Sequence, residues 1–183
     1  MEMSGKKSTT WITRTAIFIA LLIVLQMATT PLGNIIVTGS IVNLLLIVSV
    51  MTCGLSSGLA VAIVSPVMAK ILGIGPLWSL IPFIALGNVS LVIVWNFIGN
   101  RNMRGKYTVY IVAMLCAAVA KFLVLYVGIV QIAIPIFLRL PEQQAAVISS
   151  MFSIPQLITA LVGGAVAIIL FPRLKQAIAV GKE

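Results

Sequence analysis

The chain has 183 residues, of which 61% are hydrophobic and only 8% are charged, and a water-soluble domain of this length does not tolerate such a composition. We therefore predict an all-α integral membrane protein with a single domain over residues 1–183, because long apolar stretches follow one another with only short polar breaks. The net charge of +9 does not indicate nucleic-acid binding, since Lys and Arg of membrane proteins concentrate in cytoplasmic segments.

The first apolar stretch follows a basic N-terminus, which is also the order found in a signal peptide. Its apolar run is too long for a signal peptide and no small-x-small cleavage site follows, so we interpret residues 11–30 as an uncleaved first span. Five further spans are predicted at residues 35–52, 57–73, 77–99, 107–130 and 145–171. Each is long enough to cross a hydrocarbon core of about 30 Å with some tilt.

Turn-forming or charged residues mark the breaks between spans, in the segments TPLGN, GIGP, GNRNMRGK and RLPEQQ. The weakest break is TCGLSSG at residues 52–58. A single broken helix over spans two and three would change the number of crossings by one.

The distribution of basic residues favours six transmembrane helices with the N- and C-termini in the cytoplasm. Nine of the twelve basic residues then lie on the cytoplasmic side, only Arg139 lies outside, and Lys70 and Lys121 fall within spans three and five. The nine are Lys6, Lys7, Arg14, Arg101, Arg104, Lys106, Arg173, Lys175 and Lys182.

Small residues spaced by four predict the helix faces that pack inside a membrane bundle. Span three carries small residues at this spacing up to Lys70, and span five carries Ala113 and Ala117 before Lys121. We therefore expect both lysines to face protein rather than lipid.

Polar side chains within the spans fall at similar depths. Lys121, Asn88 and Gln156 lie 11–14 residues from the starts of their spans, or roughly 16–21 Å along each helix at a rise of about 1.5 Å per residue. Asn43 lies slightly above the middle of span two, and Lys70 lies near the external end of span three. These five residues converge on the middle and outer half of the bundle, where we predict a ligand site.

Lys121 requires a partner, because an ammonium group in hydrocarbon costs roughly 2.5–3.5 kcal/mol on insertion scales. The three acids, Glu2, Glu142 and Glu183, lie in the tails or in a loop, so no span contains a carboxylate. We hypothesise that Lys121, together with Lys70, faces a hydrated cavity and neutralises an anionic or electron-rich ligand that enters from outside. The alternatives are that Lys70 snorkels to the interface and that Lys121 bonds to backbone carbonyls.

An aromatic residue in an outer loop is a further candidate. Trp78 follows the segment GIGPL, where a tryptophan ordinarily belongs to the interfacial belt. The same position also allows the ring to stack over a ligand.

Several chemistries are excluded by residues that the sequence lacks. It has no histidine and no acid within a span, which excludes the usual proton relays, metal centres and His-dependent triads. Cys53 and Cys116 have no neighbouring ligands, so we interpret them as packing residues and predict neither a metal nor a cofactor. We predict no enzymatic activity, and without a G-x-x-x-x-G-K-[ST] loop the chain cannot use ATP itself.

A family resemblance follows from these features together. The chain has six predicted spans and a basic N-terminus, carries AIFIA with Ala16 and Ala20 in an A-x-x-x-A pattern, and enters span three through CGLSSGLAVA. It resembles the substrate-binding S components of energy-coupling-factor (ECF) vitamin transporters over essentially its whole length.

The resemblance implies a high-affinity binder of a small molecule in a prokaryotic plasma membrane, with a site that opens outward. It also implies partners: a transmembrane coupling subunit, which span one contacts through Ala16 and Ala20, and two ATPase subunits that use ATP. The cargo is a vitamin or vitamin precursor, and pantothenate, pyridoxine-like, pyrimidine and flavin-like compounds all remain open.

Three other functions compete with this one. A self-sufficient channel or facilitator for a small anionic or neutral metabolite would transport without partners or ATP. A membrane protein for assembly or signalling would bind no metabolite tightly. The third is an enzyme of a kind that the sequence does not reveal.

Overall fold

The computed structural model describes the backbone of residues 2–99 and 107–180 and the side chains of residues 9–99 and 107–173. All regular structure in these ranges is helical. The α-helices are α1 (Glu2–Thr29), α2 (Ile35–Cys53), α3 (Leu55–Ile71), α4 (Ile81–Gly99), α5 (Tyr107–Leu125), α6 (Glu142–Met151) and α7 (Ile154–Val180). Short 3₁₀ turns at Thr30–Leu32 and Trp78–Leu80 lead into α2 and α4, and a π-helical segment at Tyr126–Leu138 continues α5.

The membrane-spanning character is clear from length and composition. Among the described residues, five segments are long and apolar enough to cross a bilayer: Thr9–Leu32, Ile35–Cys53, Trp78–Gly99, Tyr107–Leu138 and Glu142–Arg173. The remaining helix of the six expected spans, Leu55–Ile71, is apolar and has 17 residues, near the lower limit of about 17–25 residues for a span. The all-helical membrane fold is therefore confirmed, with α3 as the shortest of the helices expected to span the membrane.

The weakest predicted break, at residues 52–58, is a chain reversal between two separate helices. Gly54 separates α2 from α3 with φ at +86°, a conformation that residues with a Cβ rarely adopt. A Cβ on Gly58 would lie only 2.9 Å from Cβ of Val50. In a continuous helix these positions would be about 12 Å apart, so α3 folds back against α2.

Two segments differ from the predicted spans. The fifth span continues as a helix to Leu138 instead of ending near residue 130. The sixth divides into α6 and α7. Pro155, which has no backbone N–H to donate to the preceding turn, is the second residue of α7, a position where helices tolerate proline well. Gln156 consequently lies in the first turn of α7, close to one end of the bundle.

The core sits where α2 packs most extensively against α7 and α4 against α5. Small residues bring the backbones together, as predicted: Ala113 and Ala117 of α5 and Ala62 of α3 are fully buried. Gly163 of α7 is packed so closely against α2 that a Cβ would lie 2.6 Å from the carbonyl oxygen of Ser40. Membrane helices associate through this kind of close backbone approach.

The predicted orientation rests on basic residues whose side chains the structure does not describe: Lys6, Lys7, Arg101, Arg104, Lys106, Lys175 and Lys182. The cytoplasmic placement of both termini therefore stays a prediction. One end of the bundle is nevertheless distinct. The connections from α1 to α2 and from α3 to α4 both lie there, which is the outer end in the predicted orientation.

Candidate ligand-binding site

A buried lysine stands at the centre of the bundle. The side chain of Lys121 in α5 is only 3% exposed. Its Nζ donates one hydrogen bond of 2.6 Å to Oδ1 of Asn43 in α2 and another of 2.8 Å to Oδ1 of Asn88 in α4. The ammonium group therefore reaches neither the bilayer surface nor a backbone carbonyl within the described residues.

The two asparagines are oriented by further hydrogen bonds. Asn43 Nδ2 donates to Thr159 Oγ1 of α7 at 3.2 Å, and Asn88 Nδ2 donates to the carbonyl oxygen of Ala62 in α3 at 3.5 Å. Because each amide nitrogen faces an acceptor, each amide oxygen is left to face Lys121. The network joins α2, α3, α4, α5 and α7, so the position of the ammonium group is set by most of the bundle.

A cavity of about 280 Å³ lies directly beside this network. Lys121, Asn43 and Asn88 all contribute to its wall. It extends to the bundle end where the α1–α2 and α3–α4 connections lie, because Gly33, Asn34, Gly75 and Pro76 also line it. The cavity therefore runs from that end of the bundle down to the buried ammonium group.

The charge balance of the site is unusual. Of the side chains that the structure describes, Glu142 is the only carboxylate, and it is exposed at the start of α6. Lys121 is thus stabilised by amide dipoles and not by an opposite charge within this part of the chain. A buried cation without a counter-charge, next to an accessible cavity, favours an anion or a strong hydrogen-bond acceptor as its ligand.

Comparison with known proteins gives the family. The family model for the substrate-specific component of ECF transporters matches residues 11–174. This chain belongs to that family. No curated protein and no solved structure matches the sequence. The chain is thus a multi-pass membrane subunit that binds substrate for an ECF transporter and works with the subunits of the ECF module.

The structure of this S component brings four of the six predicted ligand residues together. Lys121, Asn43 and Asn88 form the network, and Gln156 lines the cavity from α7. Its Nε2 donates to the carbonyl oxygen of Met151 at 3.1 Å.

The other two predicted ligand residues lie elsewhere. Lys70 is half-buried in the last turn of α3 and Trp78 is 55% exposed, and neither lines the cavity. The sequence-based selection missed Ser65 and Gln26, which both line it. A signal was present for Gln26, since it is a polar residue inside the first apolar span.

The predicted docking residues of the S component lie on the outside of α1. Ala16 and Ala20 are exposed, and Ile12 and Val24 extend the same exposed face at intervals of four. The opposite face of α1 contacts the bundle, where Thr15 shares a hydrogen bond of 2.8 Å with Ser57 of α3. Within the part of the chain whose side chains are described, the face that carries both alanines is therefore exposed.

Proposed function

We propose that this S component captures a small vitamin or vitamin precursor at the outer face of a prokaryotic plasma membrane. The cargo enters the cavity from the bundle end that carries the α1–α2 and α3–α4 connections. It presents an anionic or acceptor-rich group to Lys121. The observation that carries the proposal is the hydrogen bonding of Lys121 Nζ to two amide oxygens, with no described carboxylate nearby and a cavity of about 280 Å³ beside it.

Electrostatics explains why such a site binds tightly. The amides hold the ammonium group in place before the cargo arrives, so binding does not have to order it. The cargo supplies the negative charge that the pocket lacks, in a region where water screens charges poorly. Tight capture of a dilute nutrient requires both effects.

Energy for release comes from the partners. The chain has no phosphate-binding loop, so ATP is used by two separate ATPase subunits, which act through a transmembrane coupling subunit. The exposed face of α1 around Ala16 and Ala20 is the docking surface for that coupling subunit, because small residues allow a partner helix to approach closely.

Mass spectrometry of the small molecule that the gently purified protein retains would identify the cargo. A vitamin or precursor in stoichiometric amount supports the proposal. Vesicles that contain this chain alone should not accumulate the compound, and vesicles that also contain the coupling and ATPase subunits should do so when supplied with ATP. Transport by the chain alone would instead identify a facilitator.

The docking surface has its own test. The double substitution Ala16→Trp and Ala20→Trp should abolish transport in the complete complex while leaving ligand retention unchanged, because neither residue lines the cavity. Val119→Trp is the control, since Val119 is also exposed, on α5, and it should leave transport intact. Normal transport by the double variant would contradict the docking role.

A further inference from the structure

Two residues of the cavity wall, Ser65 and Gln26, carry buried polar atoms that have no role in the proposed function as stated so far. Ser65 of α3 is 1% exposed, and its hydroxyl has no hydrogen-bond partner within the described residues. The buried Oε1 of Gln26 in α1 also has none. Both residues line the cavity. Buried polar atoms are almost always paired, so unpaired atoms on two residues of one cavity wall point to groups that a ligand supplies after a small side-chain rotation.

The two atoms lie at different depths. Ser65 is six residues before the end of α3, and Asn88 is seven residues after the start of α4, so both lie about 9–10 Å below that end of the bundle. Asn43 is eight residues into α2, or about 12 Å deep. Gln26 is three residues before the end of α1, or about 4–5 Å deep. Ser65 is therefore level with the lysine network, and Gln26 lies about 5–7 Å closer to the opening.

The available hydrogen-bonding groups differ between these levels. At the lower level, Lys121 uses two of its three N–H groups on Asn43 and Asn88, which leaves one donor, and the Ser65 hydroxyl adds a second. Two donors, one of them charged, suit a carboxylate. At the upper level Gln26 offers an unpaired carbonyl oxygen, which requires a donor from the ligand.

We propose that the cargo is a small organic carboxylate that carries a hydroxyl or amine group on the side nearer the opening of the cavity. The carboxylate accepts hydrogen bonds from Lys121 and Ser65, and the hydroxyl or amine donates to Gln26. This inference rests on the proposed function and narrows its cargo. The cavity of about 280 Å³ is at the small end of ligand pockets, which span about 300–1,000 Å³. An open-chain or single-ring compound fits it better than a flavin.

Pantothenate and pantothenol are suitable probes, because they share one hydroxyl-bearing chain and differ in that pantothenol has a neutral alcohol in place of the carboxylate. Calorimetric titration of the purified, ligand-free protein should show pantothenate binding at least about tenfold more tightly, as expected for hydrogen bonds to a charged group.

Two substitutions then separate the levels of the cavity. Ser65→Ala should weaken pantothenate binding about 3- to 10-fold and should reduce its advantage over pantothenol. Gln26→Met should weaken both probes by a similar factor, because both carry the hydroxyl groups.

The chain offers a matched control for each substitution. Ser40→Ala removes a hydroxyl that is also buried and has no hydrogen-bond partner among the described residues, but Ser40 does not line the cavity. Gln131→Met removes an exposed amide that bonds to Tyr126 outside the cavity. Both controls should bind pantothenate as the wild type does.

The outcomes distinguish this inference from the function on which it rests. Equal binding of the two probes, binding of neither probe, or an unchanged preference in the Ser65 variant overturns the carboxylate assignment. If the protein nevertheless retains a neutral vitamin whose binding depends on Lys121, the proposed function stands. If it retains no small molecule at all, both proposals fail.

Discussion

The substitution Lys121→Met tests the central feature of the site. Methionine keeps the length of the side chain and removes the ammonium group, so the core remains filled. We expect the variant to fold and to lose most of its affinity for cargo.

The expected magnitudes follow from the contacts of Lys121. Its removal leaves the buried oxygens of Asn43 and Asn88 without their donor, which costs about 1–3 kcal/mol for each oxygen. It also relieves the burial of a cation, worth about 2.5–3.5 kcal/mol on insertion scales. These effects largely cancel, so the free energy of unfolding should change by no more than about 3 kcal/mol. The lost hydrogen bond to an anionic cargo is worth about 1.5–3 kcal/mol, which lowers affinity roughly 10- to 150-fold.

The assay compares ligand retention and thermal unfolding of Lys121→Met with those of Lys70→Met. Lys70 is the other lysine of the predicted spans, but it does not line the cavity, so its substitution should preserve retention. Retention by the Lys121 variant at the wild-type level, in a folded protein, would refute the assignment of Lys121 as the ligand-binding cation. Loss of retention in both variants would mean that Lys70 also acts on the site.

Two further predictions concern packing and charge. Gly163→Ala should lower the free energy of unfolding by about 3 kcal/mol, at the upper end of overpacking costs, because the new methyl group meets backbone atoms of α2. At Gly164 the methyl group meets only the flexible side chain of Met114, so Gly164→Ala should lower the free energy of unfolding by less than about 1 kcal/mol. Equal thermal unfolding of these two variants would contradict the packing argument. Asn43→Asp should keep or raise the free energy of unfolding and lower the affinity for a carboxylate at least about tenfold, because the new carboxylate would pair with Lys121. Calorimetric titration measures this affinity, and tighter carboxylate binding by the variant would refute an anionic cargo.

The sequence singles out the three residues of the lysine network because few polar residues occur within the spans. Burying a polar side chain in a membrane is costly, so those that occur there nearly always have partners or a function. This reasoning identified Lys121, Asn88 and Asn43, which lie on three different helices, without any knowledge of how the helices pack. The structure adds that Lys121 donates a hydrogen bond to each of the two asparagines.

The prediction for Lys70 shows the limit of the same reasoning. A spacing of four residues advances about 40° beyond a full helical turn. Over the 12 residues from Gly58 to Lys70 this drift reaches about 120°, so the two ends of the stripe face different directions. Gly58 is buried in the core, whereas Lys70 is half-buried and away from the cavity. Spacing alone predicts a shared face only over about two turns.

Other features depended on packing that local sequence does not encode. The contribution of Ser65 to the cavity depends on where α3 lies relative to α4 and α5. Pro155 marks the break before α7, but a proline alone does not predict a break, because Pro66 and Pro172 lie inside α3 and α7.

The choice of amides over a carboxylate as partners for Lys121 is consistent with a binding subunit. A buried aspartate would form an ion pair with the lysine, and an incoming anion would then have to compete with that aspartate for the ammonium group. Amide oxygens stabilise the cation through their dipoles and leave its net charge in place. The empty cavity therefore keeps a positive potential that attracts an anion, and Asn43→Asp should abolish this potential.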